Sequence, residues 1–136
     1  MVKVLVKRLN SKVKLPEYKT SGSSGMDLMA SIDSTIKIAP NTLELIPTGL
    51  SIAIPEDLEI QIRPRSGLAA KSNIGILNTP GTIDSDYRGE LKRILFNHGN
   101  KDFIVNNNDR VAQMVLMPIL KMELEEVEQL PRTLRG

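Results

Sequence analysis

The chain of 136 residues has no cysteine, no tryptophan and a single histidine. Without cysteine it can form neither a disulfide nor a thiolate metal site, and one histidine cannot build an imidazole metal cluster within one chain. No apolar run approaches the ~20 residues of a membrane-spanning helix, and lysines interrupt the apolar N-terminal stretch that a secretion signal needs. We therefore expect a cytoplasmic protein with no membrane partner.

Aromatic residues and net charge are also modest. Two tyrosines and two phenylalanines are the only aromatic side chains, which is few for the stacking surfaces of single-strand nucleic-acid-binding proteins. The formal net charge is only +2, so electrostatics do not require a polyanionic partner. We therefore expect no nucleic acid partner.

Short β-rich runs, separated by glycine, proline, asparagine or aspartate, are the dominant pattern in the sequence. The length favours one domain, residues 1–136, and the pattern favours an all-β sandwich or barrel. The predicted strands are residues 2–6, 35–39, 43–46, 50–54, 59–63, 91–96, 103–105, 111–120 and 122–127. The run 111–120 is apolar on both faces except at Gln113, which predicts a central strand covered on both sides.

One short segment, residues 66–72, has the pattern of a helix, with Ser66 placed as its N-cap. The preceding Arg65 and the following Gly67 add a positive charge and a place where the backbone can approach a ligand closely. Arg65, Ser66 and Gly67 could therefore cradle a phosphate, although the same residues taken alone suit an ordinary helix cap.

Two further segments carry polar residues that suit chemistry. Asp84 and Asp86 lie beside Tyr87, and a carboxylate near a phosphate can orient and deprotonate a water or help to hold a divalent cation through water. The same residues also suit a hairpin turn. Gln113 enters an apolar run, so it needs a hydrogen-bond partner, either structural or from a ligand.

Four segments together carry a stronger signal than any one of them. They are residues 24–30 (SGMDLMA), 64–71 (PRSGLAAK), 78–90 (NTPGTIDSDYRGE) and 108–114 (NDRVAQM). In order and spacing they resemble the motifs of the trimeric dUTP diphosphatase family over nearly the whole chain. The resemblance implies a jelly-roll-like distorted β-barrel with one short helix, assembled as a homotrimer with active sites at subunit interfaces.

The resemblance also implies an activity and roles for individual residues. The expected reaction is Mg²⁺-dependent hydrolysis of dUTP to dUMP and pyrophosphate, which limits uracil incorporation into DNA and supplies dUMP for thymidylate synthesis. Asp84 would activate the attacking water, and Asp27 would reach the metal through a water. The residues expected to hold uracil and deoxyribose are Asn78, Gly81, Thr82, Ile83 and Tyr87. The residues expected to bind phosphates, from a neighbouring subunit, are Arg65, Ser66, Gly67 and Gln113.

The chain departs from the family at its C-terminal end. The family has a glycine-rich arm that begins with Arg-Gly, contains an aromatic residue and folds over bound nucleotide. This chain ends at Arg135 and Gly136, so we expect the arm to be absent or truncated and turnover to be less efficient. Two alternatives stay open: a catalytically weak nucleotide-binding trimer, and a dCTP deaminase or bifunctional deaminase–diphosphatase on the related fold.

Overall fold

The computed structural model describes residues 1–136 and contains eleven strands and one helix. The strands are β1 (Leu5–Arg8), β2 (Met26–Met29), β3 (Ile36–Ile38), β4 (Leu43–Pro47), β5 (Leu50–Ala53), β6 (Leu58–Arg63), β7 (Ile74–Ile76), β8 (Gly81–Ile83), β9 (Lys92–Asn97), β10 (Phe103–Val105) and β11 (Arg110–Pro118). The helix, α1 (Ser66–Ser72), lies between β6 and β7.

The strands form four antiparallel sheets around one core. A four-stranded sheet has the order β2-β11-β6-β8 and a three-stranded sheet the order β4-β9-β7, while β1 pairs with β5 and β3 with β10. These sheets do not join into one continuous ring. The prediction of an all-β, jelly-roll-like distorted barrel is confirmed.

Strand β11 occupies the central position predicted for it, between β2 and β6. Its register shifts between Arg110 and Ala112, which marks a β-bulge. Strict alternation is lost at a bulge, and the consecutive residues Val111 and Ala112 are both buried here. Met114 and Met117 are only half-buried, so the single chain covers this strand incompletely.

The hydrophobic core consists of 18 buried residues in one cluster. Alternation places them inward, as in β6, where Ile60 and Ile62 are buried and the residues between them are less so. Burying a side chain of this size stabilises the fold by roughly 1.5–3 kcal/mol. The core therefore follows directly from the period-two pattern of the strands.

Several strand predictions need correction. Residues 122–127 form no strand, because a strand needs a hydrogen-bonded partner and the chain pairs none with them. The first strand is Leu5–Arg8 rather than residues 2–6, because the residues that pair with β5 start at Leu5. Strands β2, β7 and β8 were missed, since they are short and contain aspartate or glycine, which are depleted in strands. Strand β10 is equally short but was predicted, because Phe, Ile and Val favour strands.

The helix has the predicted bounds, but Ser66 is not its N-cap. Arg65 is the cap: its backbone is extended (φ −87°, ψ 128°) and no side chain bonds to the free N–H groups. The Arg65 carbonyl already accepts the first helical hydrogen bond, from the Ala69 N–H at 3.0 Å, so the helix starts one residue before a Ser66 cap would allow.

The structure has this one helix, and it is not long and apolar enough to cross a bilayer.

Truncating a core side chain should show how much of the stability lies in this cluster. Leu95 on β9 is fully buried, so Leu95→Ala is expected to lower the free energy of unfolding by about 3 kcal/mol. Ile104→Ala is the control, because Ile104 is about half exposed on β10 and its loss should cost less than ~1 kcal/mol. Chemical denaturation at one fixed protein concentration measures both, and equal losses would contradict the burial argument.

Candidate active site

The main polar cleft lies between the turn after β8 and the paired strands β4 and β9. Its volume is about 440 Å³, which falls within the range of small-molecule sites. The structure brings together five of the residues predicted for the site: Asn78, Thr82, Ile83, Asp84 and Tyr87. Gly81 starts β8 beside them, with the Asn78 Nδ2 atom 3.7 Å from the position that a Cβ on Gly81 would occupy.

Asp84 stands at the end of β8, where the chain turns away from the sheet. The Tyr87 N–H donates to the Asp84 carbonyl oxygen at 3.2 Å, which closes the expected turn. The turn does not join a hairpin, because β8 pairs with β6 whereas β9 pairs with β4 and β7. The Asp84 side chain is exposed and takes part in none of the three ion pairs of the chain. Its carboxylate is therefore available to a water or a ligand in the cleft.

Tyr87 lies at the rim of the cleft with its ring held in one orientation. Its hydroxyl donates to the Glu90 carbonyl oxygen at 3.0 Å. Gly89 makes this possible, because a Cβ at Gly89 would lie only 2.5 Å from the tyrosine oxygen. The residue is 44 % exposed, so its ring can cover a ligand that enters the cleft.

A second polar cluster forms where β2, β11 and the end of β6 lie side by side. Arg65 Nε donates to Asp27 Oδ1 at 3.1 Å, and Arg110 donates to Asp27 Oδ2 at 3.4 Å. Arg65 also donates to the Arg110 carbonyl oxygen at 3.3 Å. Two guanidinium groups face one carboxylate, so the cluster carries an excess positive charge that suits an anion.

Gln113 borders this cluster, since it pairs in register with Asp27 on one side and Arg63 on the other. Its amide donates to the Pro64 carbonyl oxygen at 3.2 Å. The hydrogen-bond partner expected for Gln113 is therefore, within this chain, a backbone carbonyl. The amide holds the segment leading to Arg65 against β11.

Gly67 and Ser66 lie on the exposed first turn of α1, next to Arg65. No atom lies within 4 Å of the position that a Cβ on Gly67 would occupy. The chain itself therefore does not require glycine at this position. None of the four residues predicted for phosphates lines the cleft that contains Asp84.

The donor set argues against a metal site built from protein groups alone. The structure contains no cluster of three or more histidine, cysteine or acidic side chains. Both oxygens of Asp27 are already engaged by arginines. Mg²⁺ often binds through one carboxylate, several waters and the phosphates of a nucleotide, and these residues fit that kind of site only.

The structure adds cleft residues that the sequence reasoning missed: Leu45, Glu90, Lys92, Arg93 and Ile94. Arg93 stands out because it is 6 % exposed. Burial lowers its pKa to about 10, and the nearby Tyr87 raises it slightly. The sequence did carry a signal for Arg93. A charged residue inside the predicted strand 91–96 needs a partner, as was argued for Gln113.

Fold and site together define an all-β protein with a nucleotide-sized polar cleft and a separate arginine cluster. Residues 11–136 match the dUTPase family. The chain is 52% identical, over an alignment of 137 positions, to a deoxyuridine 5'-triphosphate nucleotidohydrolase of Fusobacterium nucleatum. The alignment covers 100% of this chain and 94% of the relative. The chain is 48% identical over 135 residues to the protein of that name from Syntrophotalea carbinolica, covering 99% and 92%.

Solved structures share the fold. The dUTPase of Staphylococcus bacteriophage 80alpha with dUpNHpp superposes with a TM-score of 0.88 at 23% identity, covering 100% of this chain and 95% of that chain. A dUTPase of phage phi11 of S. aureus, described with a structural Mg(II) ion, has a TM-score of 0.86 at 23% identity, covering 96% and 100%. The chain belongs to the dUTPase family, and the prediction made from its four motifs is confirmed.

Proposed function

We propose that this chain is a dUTP diphosphatase, which hydrolyses dUTP to dUMP and pyrophosphate. The observation that carries the proposal is the free carboxylate of Asp84 in a cleft shared with Asn78 and Tyr87. The names of the chain's relatives support the same activity. The reaction would keep dUTP away from DNA synthesis and supply dUMP for thymidylate synthesis.

The segment of residues 78–87, which contains β8, would hold the base and the sugar. Gly81, Thr82 and Ile83 form an extended strand along the cleft, so their backbone groups can pair with a pyrimidine edge. The Asn78 amide offers a donor and an acceptor, which matches the N–H and carbonyl of uracil. Tyr87 would lie against the deoxyribose at the rim and leave no space for a 2′-hydroxyl.

Asp84 would act as general base for in-line attack by water. The water oxygen bonds to the α-phosphorus while the bond from that phosphorus to the bridging oxygen breaks. Asp84 takes the proton and pyrophosphate leaves with the electron pair. No covalent enzyme intermediate is required, because the main tasks are positioning and charge stabilisation.

Arg65, Ser66, Gly67 and Gln113 would bind the phosphates in the cleft of a neighbouring subunit. Two observations support this arrangement: the four residues lie outside the cleft of their own chain, and Gly67 has open space around it. Arg65 is already paired with Asp27, so an incoming phosphate would share a guanidinium that is preoriented.

Mg²⁺ would be held mainly by the triphosphate oxygens, with Asp27 reaching it through a water. When bound, the ion would neutralise charge and fix the phosphate chain. Asp27 is suited to the role, since it is the one acidic group within the arginine cluster.

A homotrimer is the proposed assembly, and its support is an uncovered apolar surface. A groove of about 790 Å³ is lined by Val4, Val6, Leu15, Met26, Met114 and Leu116, among others. The C-terminal tail, residues 119–136, leaves Leu120, Met122 and Leu124 almost fully exposed. Exposed apolar surfaces of this kind mark interfaces, so we propose that each tail docks on the groove of the next subunit. One domain over residues 1–136 and a cytoplasmic location stay predictions.

The proposal is tested by incubating the protein with Mg²⁺ and, separately, dUTP, dCTP, dTTP and UTP, while pyrophosphate and nucleotide products are followed. Selective conversion of dUTP to dUMP is the expected result. Ammonia release from dCTP would instead identify a deaminase. Saturable dUTP binding without turnover would identify a nucleotide-binding module, and neither binding nor turnover would overturn the proposed function.

Removing one phosphate-binding charge should separate phosphate from base recognition. Arg65→Met is expected to raise KM for dUTP about tenfold, the size of one charge-assisted hydrogen bond. The affinity for deoxyuridine should stay within about twofold, because its base and sugar contact residues 78–87. Lys71→Met, at the exposed end of the same helix, is the control and should leave both values unchanged. A parallel loss of deoxyuridine affinity would contradict the assignment.

A further inference from the structure

Arg93 is a buried cation that the proposed reaction does not yet use. It lies on β9 and lines the cleft that also contains Asn78, Thr82 and Asp84. Its Nε atom is buried without a hydrogen-bond partner. The three ion pairs of the chain do not include it either, although Asp84 and Glu90 line the same cleft.

Burying the Nε–H of Arg93 costs free energy, because no acceptor in the chain bonds to it. A guanidinium has five N–H donors and no acceptor, and a buried polar group without a partner is destabilising. Its pKa of about 10 leaves it protonated at neutral pH. Its neighbour in the register is Ile46 on β4, and Leu95 follows it on the same face of β9, so an apolar side chain would suit the packing.

The position of Arg93 indicates which part of a nucleotide it would meet. Tyr87, placed at the sugar, is 44 % exposed at the rim, whereas Arg93 is 6 % exposed. One of its terminal nitrogens lies 3.2 Å from the position of a Cβ on Gly81, next to the strand proposed to pair with the base. In a pyrimidine ring, C4 lies opposite the nitrogen that carries the sugar. A base whose sugar is at the rim therefore directs its C4 substituent inward.

We infer that Arg93 is a specificity residue that donates a hydrogen bond to the C4 carbonyl oxygen of uracil. The inference rests on the proposed function and deepens it. Cytosine carries an amino group at C4, which is a donor. A donor-only guanidinium cannot pair with it, so cytosine would leave the buried cation unpartnered and add a second unsatisfied donor. Arg93 thus discriminates between uracil and cytosine nucleotides.

The test measures binding of dUMP and dCMP by calorimetry to the wild-type protein and to Arg93→Met and Arg93→Lys. Methionine has a similar length and no donor, so Arg93→Met should weaken dUMP binding about tenfold and reduce the dUMP-to-dCMP affinity ratio by a similar factor. Arg93→Lys keeps a charged donor and should retain part of the ratio. The kcat for dUTP should stay within about threefold, because Asp84 is untouched, while KM rises.

A control separates recognition from general effects of charge or folding. Arg8→Met removes an exposed guanidinium on β1, outside the cleft, and should leave the affinity ratio unchanged. Arg93→Met should unfold at a temperature no lower than the wild type, since it removes a buried N–H group that has no partner. An unchanged affinity ratio in folded Arg93→Met would overturn the specificity role of Arg93 and leave the proposed function standing.

A measurement on the unmodified protein covers the case in which the variants do not fold. In ¹⁵N-labelled protein, the arginine Nε–H signals are followed as dUMP or dCMP is added. One buried arginine signal should shift with dUMP and not with dCMP, and the absence of any such shift would overturn the inference. A wild-type protein that neither binds dUMP nor hydrolyses dUTP would overturn the proposed function, and the inference with it.

Discussion

Asp84→Asn is expected to lower kcat for dUTP hydrolysis about 10³-fold, within the range of general-base catalysis. Asparagine has nearly the same size and can still contact a water, but it cannot take the water's proton. The Asp84 side chain is exposed and outside the ion pairs of the chain, so the substitution should leave stability almost unchanged. The affinity for dUMP should stay within about threefold, because the base and sugar contacts remain. Steady-state kinetics and calorimetry on the same preparation measure both effects.

Asp86 provides a matched control for that experiment. It lies two residues further along the same turn and is also exposed, but it does not line the cleft. Asp86→Asn should therefore keep kcat within about threefold. An Asp84→Asn variant that retains more than a tenth of wild-type kcat would show that another group activates the water.

Placing charges on the apolar face of the tail is expected to dissociate the assembly and abolish turnover. Met122 and Leu124 alternate with glutamates and are almost fully exposed in the single chain. Burying each in a neighbour's groove would contribute roughly 1.5–3 kcal/mol, and a glutamate there would add an unpaired buried charge. Met122→Glu with Leu124→Glu should therefore shift the mass in sedimentation equilibrium from three chains to one. Hydrolysis should fall as well, because Arg65 would no longer reach a neighbouring cleft.

The interleaved glutamates serve as the control for the tail. Glu123→Gln with Glu125→Gln alters two exposed charges on the alternate positions of the same segment and should preserve both assembly and turnover. A wild-type chain that sediments as a monomer would contradict the proposed trimer. A charged-tail variant that stays assembled would show that other surfaces hold the subunits together.

The sequence by itself determined the fold class and the family. Alternation in runs such as 50–54 and 59–63 reports which face of a strand is buried, and this local pattern survives in the structure as β5 and β6. Turn-forming residues mark the ends of those runs. The grouping of Asn78, Asp84 and Tyr87 in one cleft followed from the resemblance of residues 78–90 to a family motif, and these residues also lie close together in the chain.

Only the tertiary structure decided how distant residues meet. Asp27 bonds to Arg65, 38 positions away, and to Arg110, 83 positions away, because sheet register sets those neighbours and sequence distance does not. A three-residue strand such as β8, which begins with glycine, carries too little signal to be recognised alone. The isolation of Arg93 in the cleft, and the exposure of residues 122–127, likewise depend on which surfaces the folded chain brings together. Alternation along one strand shows which of its faces is buried, but the residues that pack against that face belong to other strands.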